Sequence, residues 1–420
     1  MRERNRRRPV SPPQRVKNRS VKRQPMRGTT AVSSTSPRYN SRHTGNSLVS
    51  NREIRKMFSR KGTVDYPFLT VVCVLLAFGL MMLFSASTAR AYSNFGDSLW
   101  YFKKQLGGLL IGTLGMYVMS IFDYKRIAKC SIAILVLSLV LLGMVLVPGL
   151  GTTAGGATRW LFGFQPSEVA KIAVIIFFAS SLVTYQDNLG HFVKGFLPYI
   201  GVLGLFVLLL AAEPHFSCIV LISCTAMLIL FVGGAKIKNF FYIGIPALVG
   251  ACAMVFTSEY RLARVMSFLN PFADAAGDGW QIVQSLYAIG SGGIFGVGLG
   301  QSRQKYMSLP EPQNDFIFSV LAEELGLLGA IIVIGLFIYL AFRGIKIAAK
   351  APDLFGTLLV TGIIGIVAFQ ALINIAVVTS SIPVTGMPLP FFSFGSTALT
   401  ITMTEMGIVL NVSRQSQKIT

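Results

Sequence analysis

YPFLTVVCVLLAFGLMMLFSAST, residues 66–88, carries no charged side chain over 23 positions. At about 1.5 Å of rise per residue, one helix of that length crosses the roughly 30 Å hydrocarbon core of a bilayer. Similar runs recur near 106–122, 129–148, 168–184, 196–212, 216–233, 239–257, 316–342, 354–378 and 394–412. The expected fold class is therefore an all-α polytopic membrane protein of about ten transmembrane helices, with a large extracytoplasmic loop between spans seven and eight. Composition agrees, at 53% hydrophobic and 13% charged residues with a mean hydropathy of +0.61. A water-soluble fold could not hide that much apolar surface.

Upstream of this stretch the composition inverts. Residues 1–64 hold 18 Lys and Arg against Glu3 and Glu53, and so supply most of the net charge of +21. Rich in Arg, Ser, Pro and Asn and without apolar periodicity, this arm cannot offset its ordering entropy by burial and is expected to be disordered. It lacks the order of a cleavable signal peptide. Because it runs straight into a span, the expected partner is the anionic lipid surface of the cytoplasmic leaflet, at about 1 kcal/mol per basic residue, rather than nucleic acid. With the arm inside, Lys125, Arg126, Lys129, Lys236, Lys238, Arg343, Lys346, Lys350, Arg414 and Lys418 also fall inside, so both termini are expected to be cytoplasmic. Lys103, Lys104, Arg261 and Arg264 run against the rule. The boundaries expected are an arm over 1–64, a transmembrane domain over 65–414 and a short tail over 415–420. Cys73, Cys130, Cys218, Cys224 and Cys252 are scattered, with no metal-ligand spacing, and read as small hydrophobes.

Two segments on the expected outer side are more than connectors. GLGTTAGGATRW precedes span four within 149–167, and 258–315 is dense in Gly, Gln, Asn and acidic residues. Their Trp160, Phe268, Phe272, Trp280 and Phe295 argue for a folded cap over a cavity. The glycines from Gly290 to Gly300 follow no strand and lack the Lys-Ser/Thr of a phosphate loop, so they read as a tight turn between short helices.

Ionisable residues are expensive in hydrocarbon, at about 2.5–3.5 kcal/mol or more, and so mark functional candidates. Glu168 and Lys171 stand three apart on one helical face, where they form either a structural ion pair or, with Arg159 and Trp160 just upstream, a site for a phosphate and a sugar ring. LPEPQNDFIFSVLAEELG, residues 309–326, puts Glu311, Asn314 and Asp315 at the entry to span eight and Glu323 and Glu324 two turns further in. Asn314 or Asp315 could simply cap the helix; alternatively, a partly desolvated Asp315 could have a raised pKa and take a proton from an alcohol. Gln281, Gln284 and Ser285 share helical spacing, Ser393 and Ser396 follow Pro388 and Pro390 before the last span, and Glu405 lies further in. His215 has no second His or Cys beside it in sequence to complete a metal site.

RWLFGFQPSEVAK at 159–171, GDGWQIVQSLYAIGSGGIFGVGLG at 277–300, LPEPQNDFIFSVLAEELG at 309–326 and PLPFFSFGST at 388–397 occur in the same order in the SEDS family of bacterial peptidoglycan glycosyltransferases. The chain resembles that family, which includes FtsW, RodA and SpoVE, over residues 65–414. MGIVLNVSR at 406–414 looks more like the division protein FtsW, or its sporulation paralogue, than the elongation protein RodA. The resemblance implies polymerisation of lipid II outside the membrane, with Asp315 catalytic and Arg159, Trp160, Glu168 and Lys171 in a required group around the same cavity. It makes Gln281, Gln284, Ser285, Glu311, Asn314 and Ser393 candidates for lining the cavity. It also implies a class B penicillin-binding protein and divisome proteins as partners, and a septal location in the cytoplasmic membrane of a bacterium. A divalent cation, Mg or Mn, is the one cofactor expected to assist, with no ligand set legible. Many relatives carry Asp where this chain has His215. A lipid-precursor flippase and a scaffold for division proteins are the rival readings.

Overall fold

The computed structural model describes residues 62–154, 157–256, 259–277, 279–306 and 309–416. The basic arm up to residue 61 and the tail beyond residue 416 lie outside the described residues. Among the described residues the α-helices are α1 (Tyr66–Phe95), α2 (Trp100–Ile121), α3 (Lys125–Lys129), α4 (Ser131–Val145), α5 (Pro166–Tyr185), α6 (Leu197–Ala212), α7 (Phe216–Val232), α8 (Ile237–Phe256), α9 (Glu259–Leu269), α10 (Trp280–Gly292), α11 (Ile317–Ala349), α12 (Leu354–Val378) and α13 (Ser396–Ser416). A helix lies in each of the ten apolar segments expected, and among the described residues five stretches are long and apolar enough to cross a membrane: Tyr66–Phe95, Pro166–Gly190, Phe192–Ala212, Ile317–Ala349 and Leu354–Val378. The region before α11 is not one loop, since it folds into α9 and α10. One departure from the all-α expectation is a hairpin of β1 (Gly151–Ala154) and β2 (Ala157–Leu161), antiparallel, with Thr152 opposite Trp160.

Local chemistry fixes the ends of the elements. Asp65 caps α1, its Oδ1 accepting from the Phe68 N–H at 2.9 Å, and Pro67 occupies the first turn, where its missing donor does no harm. Asp353 caps α12 in the same way, accepting from the Gly356 N–H at 2.8 Å. At this end of the bundle, Arg343 pairs with Asp65, and Tyr124 and Lys125 both reach Asp353 Oδ2 at 2.9 Å.

Between apolar helices the hydrophobic drive is weak in lipid, so close packing depends on small residues. Along α2, a side chain at Gly108 would strike the Ser396 backbone and one at Gly112 would strike Met403 and Thr400 of α13, while Gly407 of α13 lies against the Met116 backbone. The Thr400 hydroxyl donates to the Gly108 carbonyl at 3.0 Å across this seam. Phe178, Leu182, Ile229, Leu358, Leu359 and Ile363 are fully buried in the core shared by α5, α7 and α12.

Helix α11 is broken at Gly326, at φ 68° and ψ −168°. The segment after α10 splices its backbone into the break. The Leu327 and Leu328 N–H groups donate to the carbonyls of Gly293 and Ile294 at 2.9 and 3.1 Å, and the Val297 and Gly298 N–H groups donate to those of Glu323 and Glu324, both at 3.0 Å. Every backbone group freed by the kink in these positions thus finds a partner, as burial in an apolar bundle requires. The glycines read from sequence as a tight turn make this approach possible: Gly296, at φ 81°, has no room for a side chain beside Glu324.

Candidate active site

At the end of the bundle away from Asp65, α5, α7, α12, α13, the hairpin and the segment before α11 enclose a cavity of about 270 Å³. Its lining includes Arg159, Trp160, Glu168, Lys171, Asn314 and Asp315, six residues singled out from the sequence. The hairpin brings Arg159 and Trp160 to the rim. A short turn, closed by reciprocal hydrogen bonds between Leu161 and Phe164 at 2.8 and 2.9 Å, leads to Pro166 and carries Glu168 and Lys171 in on the first turns of α5. Lys171 Nζ lies 2.8 Å from Glu168 Oε2, with both side chains 9% exposed, and donates to Gln370 of α12 at 3.4 Å. Gln370 in turn donates to the Pro388 carbonyl at 2.9 Å, so this buried pair is fixed to the Pro-rich segment before α13.

Asp315 does not cap α11. The residue at that position is Phe316, with no side-chain cap. Instead the backbone on either side of Asp315 is pinned so that its carboxylate faces the cavity. Asn374 Nδ2 donates to the Asp315 carbonyl at 2.8 Å and to the Met387 carbonyl at 2.6 Å, and Ser393 Oγ donates to the Asn314 carbonyl at 2.5 Å. Gly386, at φ 66°, lies so close that a Cβ there would be 3.4 Å from Asp315 Oδ2. Burial, then the nearby Glu311 carboxylate, raise the Asp315 pKa to about 6, and Arg159 opposes them. A carboxylate near neutral pKa with no ion pair among the described residues is suited to take a proton from a bound alcohol.

The other expected residues stand elsewhere. Glu311 is outside the lining, held 3.0 Å from Arg90 Nη2 and accepting from Gln313 and Asn314 at 2.9 Å. Ser393 supports the Asp315 segment from behind, also accepting from the Leu389 N–H at 2.8 Å. Gln281, Gln284 and Ser285 do not line the cavity; Gln284 and Ser285 are buried, and Ser285 Oγ bonds Ser319 Oγ and the Val378 carbonyl, both at 2.7 Å. Sequence reasoning missed Gln165, His215, Gln370 and Gly386 as lining residues. Gln370 had a signal, an amide in the middle of an apolar helix. Glu323 and Glu324 belong to a separate buried knot, in which Lys305 Nζ lies 2.8 Å from Glu324 Oε1 and Ser302 Oγ donates to Glu323 Oε2 at 2.6 Å. Among the described residues, no three His, Cys, Asp or Glu side chains come together to hold a metal ion.

The model of the FtsW/RodA/SpoVE family, described as cell cycle protein, matches residues 66–418. The chain belongs to the FtsW/RodA/SpoVE family. It is 42% identical over 365 residues to stage V sporulation protein E of Bacillus subtilis (strain 168), covering 86% of this chain and 100% of that protein. It is 40% identical over 353 residues to a protein named probable peptidoglycan glycosyltransferase FtsW of Geobacter sp. (strain M18), covering 83% and 96%. Among solved structures, a chain from work described as structural coordination of polymerization and crosslinking by a peptidoglycan synthase complex matches with a TM-score of 0.68 at 26% identity, over 84% of this chain and 99% of that one. The rod shape determining protein RodA of Thermus thermophilus matches with a TM-score of 0.61 at 25% identity, over 84% and 98%. With its apolar helices, this FtsW/RodA/SpoVE protein is a bacterial membrane protein.

Proposed function

We propose that this FtsW/RodA/SpoVE protein is a peptidoglycan glycosyltransferase that polymerises lipid II at the outer face of the cytoplasmic membrane. The observation that carries the reading is Asp315, a half-buried carboxylate facing a cavity that also holds Arg159, Trp160 and Lys171. The 4-hydroxyl oxygen of the acceptor GlcNAc forms a bond to the anomeric carbon of the MurNAc that ends the growing strand. The bond from that carbon to the diphosphate oxygen breaks, its electron pair leaves with undecaprenyl pyrophosphate, and the hydroxyl proton passes to Asp315. Attack opposite the leaving group inverts the anomeric centre. Arg159 and Lys171 supply fixed positive charge where the diphosphate charge grows, and Trp160 offers a face for a sugar ring. The described residues do not gather a ligand set of three His, Cys, Asp or Glu side chains for a divalent cation.

The same reading makes the ten apolar helices spans with cytoplasmic termini and places α9 and α10 outside. It keeps residues 1–64 as a lipid-attracted cytoplasmic arm and residues 65–414 as the catalytic domain. Likeness to a chain from a peptidoglycan synthase complex supports a class B penicillin-binding protein as partner. Likeness to FtsW supports divisome partners and a septal site. Purified protein given lipid II should yield glycan strands resolvable on a gel. If protein in vesicles instead carried lipid II across the bilayer without polymerising it, the proposal would give way to a flippase.

A further inference from the structure

The turn Glu213–Pro214–His215 joins α6 to α7 and brings His215 into the lining of the Asp315 cavity. Arg159 ties this turn down, donating through Nε to the Glu213 carbonyl at 3.5 Å and through Nη2 to the Pro214 carbonyl at 2.5 Å. The His215 N–H adds a backbone bond to the Leu210 carbonyl at 2.9 Å. The imidazole and the guanidinium are therefore held together on one wall, with Lys171 in the same lining. His215 Nδ1 is buried without a hydrogen-bond partner among the described residues. A buried polar nitrogen left over in a cavity that Arg159 and Lys171 also line is placed to meet an anion.

We propose that His215 is a contact for the diphosphate of the lipid-linked donor and takes up a proton when that diphosphate binds, an inference that rests on the function proposed above. The groups facing His215 decide the direction of the effect. Arg159 of the hairpin and Lys171 of α5 act on the ring, Glu168 of α5, Cys218 of α7 and Asp315 before α11 line the same cavity, and Glu213 stands on the same turn. Burial, then Arg159 and Lys171, lower the His215 pKa to about 3, so the ring is neutral at physiological pH. A diphosphate seated among these groups reverses the local field and favours imidazolium, which donates hydrogen bonds from both nitrogens. Burial raises Glu213 to about 7, against Arg159, which makes Glu213 the chief rival for the proton.

The test is calorimetric titration of the full-length protein in detergent with undecaprenyl pyrophosphate, run in two buffers of different ionisation enthalpy to count protons. Near pH 7.5 the parent should take up close to one proton more than His215→Gln. Its affinity should weaken by up to about tenfold per pH unit as pH rises, the limit for one linked proton, while that of His215→Gln stays flatter. His215→Lys, with a permanent cation, should keep the affinity without the extra proton, which separates this role from simple loss of folding. Equal uptake by parent and His215→Gln would overturn the proposal and assign the proton to Glu213 or Asp315, as would failure of the parent to bind the diphosphate. If the uptake difference held in a protein that made no glycan, the glycosyltransferase reading would fall and the anion contact would stand.

Discussion

At Asp315, burial and Glu311 raise the pKa to about 6 against the pull of Arg159, and both catalysis and stability inherit that value. A general base works only when ionised, so initial rates of polymerisation measured from pH 5 to 8 should rise through about pH 6 and level off above it. Removing the opposing charge with Arg159→Gln should move that limb to higher pH. Stability runs the other way. The folded state holds this proton more tightly than the unfolded chain does, so the group's stabilising contribution is complete below its ordinary value of 3.8 and is lost as pH rises through about 6. Beneath it, the Glu168–Lys171 pair is buried on both sides, and a lone charge left there has no water to screen it. Lys171→Met should cost on the order of 3–5 kcal/mol in thermal unfolding, and adding Glu168→Gln should recover part of that loss.

At the scale of elements, the break in α11 is a backbone device with a testable requirement. Gly326 sits at φ 68° and ψ −168°, a region that side-chain-bearing residues avoid, and a Cβ there would strike Ile294 and Gly296. Gly326→Ala should therefore destabilise the protein by at least about 1–3 kcal/mol. Gly335→Ala, in the same helix with open space around it, should be neutral or stabilising by up to about 1 kcal/mol; melting curves of the two in one detergent make the comparison. Here the limit of the sequence is visible. The glycines of 290–300 are legible as a turn, but nothing in their spacing says that the turn completes another helix's hydrogen bonds. In the same way Gln281, Gln284 and Ser285 show helical spacing that fits a cavity wall and a helix interface equally well, and for Ser285 only its bonds to Ser319 and Val378 separate the two.

For the whole molecule, the orientation proposed above would put Gly96 and the Asp315 cavity outside and the turn at Lys236 inside. In a cysteine-free background, Gly96→Cys should react with a membrane-impermeant maleimide in intact cells, and Lys236→Cys should react only after permeabilisation. The helices were legible because apolar runs of span length have few alternative folds. Arg159, Glu168, Lys171 and Asp315 were legible because charges at or inside a bilayer boundary are costly enough to need a reason. His215 and Gly386 were not, since they enter the site only when α7 and the segment before α13 close around Asp315 across distances in sequence that no local pattern encodes. The most direct test of that assembly is the rate at which purified Asp315→Asn protein polymerises lipid II beside the parent at pH 7.5. The account predicts a fall of about 10² to 10⁴-fold with thermal stability unchanged or raised. A variant that polymerised as fast as the parent would contradict it.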